Sequence, residues 1–85
     1  EYSVVSENSI VKIDKKIPFE RAAAFGCAII TGIGAVVNTA QIRSGSNVAV
    51  VGLGGIGLNA IIGAKLAGAN EIIALDINED KFELA

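Results

Sequence analysis

The chain has 85 residues, 52% of them apolar and 19% charged, with ten glycines, one cysteine and no histidine. Its net charge of −2 and pI of about 4.9, with the cations scattered, exclude a basic nucleic-acid-binding patch. The lone Cys27 excludes an internal disulfide and fits a reducing compartment.

The apolar excess points to a chain that other parts of a protein cover, because roughly 25% charge is usual for a soluble domain. The sequence opens at Glu1 without a methionine and stops at Ala85 inside a predicted helix, so a fragment is expected. No charged-then-apolar stretch opens it, and a cytoplasmic location is expected.

In chain order, residues 2–6 (YSVVS) and 10–13 (IVKI) read as short strands with a turn at Glu7-Asn8-Ser9. Residues 14–18 form a polar connector, since the residue before Pro18 disfavours helix. A helical turn follows from Phe19 to Phe25, favoured by Glu20 at its start. Thr31 is placed to cap a second helix running to about Gln41, with Val36, Val37 and Ala40 as its apolar stripe. After a surface turn at residues 43–46 comes NVAVV (47–51), β-branched throughout and read as a strand buried on both faces. A helix is predicted over residues 58–67, stopped by Gly68 as a C-cap. EIIAL (71–75) is a second strand of the same buried kind, and Asn78 caps a last helix, EDKFELA. Strand, glycine turn, helix and strand within about 30 residues make a βαβ unit, hence an α/β fold with a parallel sheet.

Between the first of these strands and its helix stand four glycines in six positions, Gly52, Gly54, Gly55 and Gly57. Gly52, Gly54 and Gly57 satisfy G-x-G-x-x-G. The first allows a tight strand-to-helix turn, the second leaves room for a pyrophosphate at the backbone, and the third lets helix and strand pack closely. The helix N-terminus then faces the pyrophosphate with free N–H groups and a positive dipole end. A glycine-rich packing turn would look the same in isolation. Asp76 adds context: it lies 19 residues beyond Gly57 at the end of the second strand, where a carboxylate can accept from both ribose hydroxyls. Such a carboxylate repels a 2′-phosphate, favouring NAD over NADP. Asp76 as a simple helix-start residue is the alternative. A P-loop is excluded because no Gly-Lys-Ser/Thr follows the glycines.

The run FGCAIITGIGAVVNTAQIRSGSNVAVVGLGGIGLNAIIGAKLAGANEIIALDINEDKFELA closely resembles the zinc-dependent alcohol dehydrogenases of the medium-chain dehydrogenase/reductase superfamily. Ala35 to Ala40 (AVVNTA) and Asp76-Ile77-Asn78 are most similar to its glutathione-dependent formaldehyde dehydrogenase branch. The resemblance implies that residues 1–18 end a GroES-like catalytic domain, that 19–45 form a helical connector, and that 46–85 begin a Rossmann-type NAD-binding domain. By position it assigns Cys27 as a ligand of the catalytic zinc and puts Thr31 and Ile56 at the nicotinamide. Asp76 and Lys81 fall at the adenosine ribose, Ile77 at the adenine, and Gly52, Gly54, Gly55 and Gly57 at the pyrophosphate. Ala28 and Ile33 depart from the family pattern, which has Gly after this Cys and often an aromatic between the glycines of TGxG.

The expected function is therefore part of an oxidoreductase passing hydride between an alcohol or aldehyde and NAD with catalytic zinc. The intact protein is expected to be a homo-oligomer, with neither nucleic acid nor membrane as partner. With one Cys and no His, this piece cannot assemble a three-ligand zinc site; it is expected to be inactive alone. Two alternatives stand beside this reading. One is a non-catalytic nucleotide-binding or self-associating module. The other is a membrane hairpin, since residues 22–42 and 44–64 are each 21 residues without a charge.

Overall fold

The computed structural model describes residues 2–85. Pro18 opens a helix, α1, that runs without a break over Phe19–Thr39. The Pro18 carbonyl accepts from the N–H groups of Arg21 (3.1 Å) and Ala22 (2.9 Å), so the residue that cannot donate starts the ladder. The two predicted helices are thus one. Gly26 lies inside it, and the Thr31 side chain caps nothing. A glycine costs a helix only about 1 kcal/mol, and the packing of α1 on its neighbour outweighs that penalty. Two stretches, Phe25–Ile29 and Ala35–Thr39, are wound as π-helix, the second closed by Ala40 N–H donating to Ala35 O at 2.7 Å.

The strands fall where the sequence places them. β1 (Asn47–Val51) and β2 (Glu71–Leu75) are parallel neighbours, in register from Asn47 opposite Glu71 to Val51 opposite Leu75. Helix α2 (Gly55–Leu66) connects them, starting three residues before its predicted beginning. It ends in a Schellman arrangement: Ala69 N–H donates to Ala64 O at 3.0 Å and Gly68 N–H to Lys65 O at 3.1 Å, with Gly68 at φ +84°.

The core forms between α2 and one face of the sheet. Val50, Leu53 and Ile61 are buried there, with Val48, Leu58, Ile72 and Ala74 packed around them. Burial of both sheet faces, expected from the unbroken apolar runs, is not what the structure shows. Alternate residues are exposed, Val51 to 81% and Ile73 and Leu75 to about half. The reason is that α1 lies on α2 and not on the second face of the sheet.

Two further expectations are corrected, and one alternative is removed. Residues 2–6 and 10–13 form no strands, and only a short 3₁₀ turn, Glu7–Ser9, interrupts an open segment. Among the described residues no strand lies beside them to satisfy their backbone, and Tyr2 and Val4 are fully exposed. The helix predicted after Asn78 is a single 3₁₀ turn, Glu79–Lys81; so short a segment, exposed at Phe82 and Leu84, has too little packing to propagate. The second uncharged run cannot be a membrane span, because turn, strand, glycine turn and helix divide it. By length and composition alone α1 could cross a bilayer, but it meets α2 through Gly32 and Val36, both buried.

Candidate functional site

The glycine turn lies at the carboxyl ends of the two parallel strands. Gly52 carries it at φ +94°, backbone territory that side chains strongly disfavour, while its N–H extends the strand ladder to Leu75 O at 2.7 Å. Leu53 then turns its side chain fully inward, with no exposure, and anchors the turn on the core. Gly54 stands just before α2 in extended conformation, and a side chain there would meet nothing within 4 Å. Among the described residues no side chain caps α2, so the amides of its first turn have no side-chain acceptor there. Gly57 is the opposite case. A methyl group at this position would run into the Gly52 carbonyl oxygen and stand 2.9 Å from the Gly52 carbonyl carbon, so helix and turn touch backbone to backbone.

Asp76 closes the turn from the other strand. Its Oδ2 accepts the Leu53 N–H at 2.7 Å and its Oδ1 the Asn78 N–H at 2.8 Å. These bonds, the Leu53 one foremost, hold its carboxyl below the usual carboxylate value. Slight desolvation opposes them, and the Lys81 ammonium adds a weaker pull in the same direction. The partly buried carboxylate is therefore ionised and fixed in orientation. Val51, Gly52, Leu75, Asp76 and Ile77 line an open cleft of about 510 Å³.

Of the residues singled out in the sequence, the structure gathers Gly52, Gly54, Gly55, Gly57, Asp76 and Ile77 at this end of the sheet, with Lys81 one turn beyond. Ile56 is half exposed on the first turn of α2, and Ile77 is fully exposed. Thr31 and Cys27 belong to α1 and are exposed, Cys27 within the first π-helical stretch. Ala28, beside Cys27, faces Gly55, with 3.5 Å between its Cβ and the place a Gly55 Cβ would take. The residues present do not complete a metal site. Among the described residues no three His, Cys, Asp or Glu side chains gather, and Cys27 is a single thiol donor.

Three residues went unnoticed in the sequence. Leu53 is the apolar residue inside the glycine turn, a placement that could have marked it as an anchor. Asn59 is the one polar uncharged side chain of α2; its Nδ2 donates to Gly55 O at 2.7 Å and so braces the first turn. Gly32 shows its role only through the helix it meets.

No family model matches the sequence. Among solved structures the chain is similar to an alcohol dehydrogenase zinc-binding domain protein from Burkholderia ambifaria, with 40% identity, a TM-score of 0.76, and coverage of 88% of this chain and 21% of that one. It is similar to benzyl alcohol dehydrogenase from Acinetobacter calcoaceticus at 42% identity and TM-score 0.79, covering 87% and 20%. An alcohol dehydrogenase from Thermus sp. ATN1 gives 34% identity and TM-score 0.71, covering 87% and 22%. The chain thus spans about a fifth of the length of each of these proteins.

Proposed function

We propose that these residues are part of a zinc- and NAD-dependent alcohol dehydrogenase of the medium-chain superfamily, and that they supply the pyrophosphate turn and one zinc ligand. The observation that carries this reading is the clamp of Asp76 on the glycine turn through Leu53 N–H, found in a chain 34–42% identical to three alcohol dehydrogenases. Residues 1–18 would close a catalytic domain, 19–45 connect, and 46–85 open a doubly wound nucleotide domain. The AVVNTA and DIN segments favour the glutathione-dependent formaldehyde dehydrogenase branch. A cytoplasmic, homo-oligomeric parent acting on a small alcohol or aldehyde belongs to the same proposal.

In this role the open backbone at Gly54 and the uncapped amides of α2 take the pyrophosphate, and Asp76 accepts from the adenosine ribose while repelling a 2′-phosphate. Lys81 flanks that ribose, Ile77 supports the adenine, and Ile56 and Thr31 bound the nicotinamide. Bound NAD supplies the hydride acceptor. For zinc the chain offers Cys27 alone, so the remaining ligands must come from elsewhere in the protein.

The 85-residue chain is expected to bind NAD weakly, because only part of the cradle is here. Calorimetry returning a low-micromolar Kd would overturn the reading of a partial site. Backbone amide spectra test the nucleotide reading itself: shifts at Gly54–Gly57 with millimolar NAD support it, and no shift there defeats it.

A further inference from the structure

Gly32 is buried in the middle of α1, at the point where that helix crosses α2. Its neighbours across the crossing are two backbone atoms and a Cβ, none of them the end of a flexible side chain. A methyl group on Gly32 would strike the Ile56 carbonyl oxygen and lie 2.9 Å from Ala60 N and 2.6 Å from Asn59 Cβ. In an α-helix the carbonyl of residue 56 and the amide of residue 60 are hydrogen-bond partners. The methyl would therefore wedge into the first turn of α2, beside the Asn59 brace on Gly55 O, where no flexible side-chain end can move aside. The seat extends both ways. Ala28 faces Gly55, and Gly63 would bring a Cβ to 3.1 Å from Ile33 Cα and 3.3 Å from Ile33 O.

We propose that Gly32 is a positioning residue for dinucleotide binding: its bare backbone seats α1, the helix bearing Cys27 and Thr31, directly on the Ile56–Ala60 turn, and so sets where the amides of Gly55 to Gly57 stand relative to that helix. This rests on the nucleotide reading above. Gly32 touches no ligand; it acts through the turn it supports. The same crossing explains why α1 keeps a helix-weakening glycine at position 32.

Gly34 is the control, on the same helix with only Asn38 Nδ2 near its would-be Cβ, at 3.8 Å. In the complete polypeptide that contains these residues, Gly32→Ala is expected to raise the Kd for NAD about tenfold or more, as displacements near 1 Å do at preorganised sites. It should also speed amide exchange at Ala60 by a similar factor, a local signature that a general loss of stability would not single out. Gly34→Ala is expected to stay within about twofold on both readouts. Gly32→Ala matching Gly34→Ala in either readout overturns the proposal. If Gly32→Ala fails to fold, Gly63→Ala decides as the milder wedge: a rise in Kd of about threefold or more with the fold intact supports it, and no change overturns it. A parent protein that takes up no NAD at all defeats the nucleotide reading and this inference together, whereas normal uptake with an indifferent Gly32→Ala defeats the inference alone.

Discussion

Asp76 has two duties that separate cleanly by experiment. One is structural, since it joins the end of β2 to the glycine turn through Leu53 N–H. Its folded-state pKa lies below the ordinary 3.8, so the carboxylate stabilises the fold above that pH, and the contribution disappears as pH falls through the lowered value. Denaturation midpoints measured at pH 5 and pH 3 should therefore drop more in the parent chain than in Asp76→Asn; equal drops would remove the structural duty. The other duty, discrimination between cofactors, belongs to the proposed function. In the proposed dehydrogenase Asp76→Ser should relax the preference for NAD over NADP, because the repulsive element is gone, and an unchanged ratio of the two cofactor efficiencies would show the assignment to be wrong. The glycines of the turn separate in the same way. Gly57→Ala forces a methyl onto the Gly52 carbonyl and should cost about 1–3 kcal/mol of stability. Gly54→Ala enters open space and should change stability by no more than about 0.5 kcal/mol while weakening NAD binding. Urea midpoints and NAD titrations on the pair check this, and matching behaviour in both would contradict it.

Among the elements, α2 is the best specified and α1 the least. The end of α2 rests on Gly68, whose left-handed backbone costs about 1–2 kcal/mol for a residue with a Cβ and whose would-be Cβ sits 2.8 Å from Ser44 Oγ. Gly68→Ala should lower stability by at least that amount, measured by denaturant titration; a neutral result would mean the Schellman closure contributes nothing. α1 illustrates how local signals mislead. A helical turn ending at Phe25 and a second helix capped by Thr31 were the local readings, yet the chain passes through both positions in one helix, because Gly32 and Val36 bury against α2.

At the scale of the whole molecule, one sheet face is unfilled. Val51, Ile73 and Leu75 stand open beside two unpaired strand edges, and Phe19, Leu66 and Ile77 add exposed apolar surface elsewhere. Open apolar edges recruit other chains, and contiguous apolar patches mark association surfaces. The isolated chain is expected to be a dimer, a larger species or an aggregate at micromolar concentration. Light scattering or sedimentation that finds one species near 8.7 kDa with cooperative unfolding would refute this.

Both strands, the glycine turn between them and the cap at Asn78 were legible in the sequence, because each depends on local chemistry. A β-branched run, a positive φ and a side-chain acceptor announce themselves within a few residues. The position of Asp76 at the carboxyl end of β2 was legible for the same reason. What only the tertiary structure decided is everything that depends on a partner element. The strands predicted at 2–6 and 10–13 do not form, since nothing pairs with them. Only one sheet face is covered, since α1 chose α2. The clamp of Asp76 on Leu53 joins residues 23 positions apart, and the seat of Gly32 on Ile56 and Ala60 joins two helices. Periodicity and propensity report what a segment prefers alone; contact between backbones distant in sequence leaves no such mark, and here it is that contact which places the site.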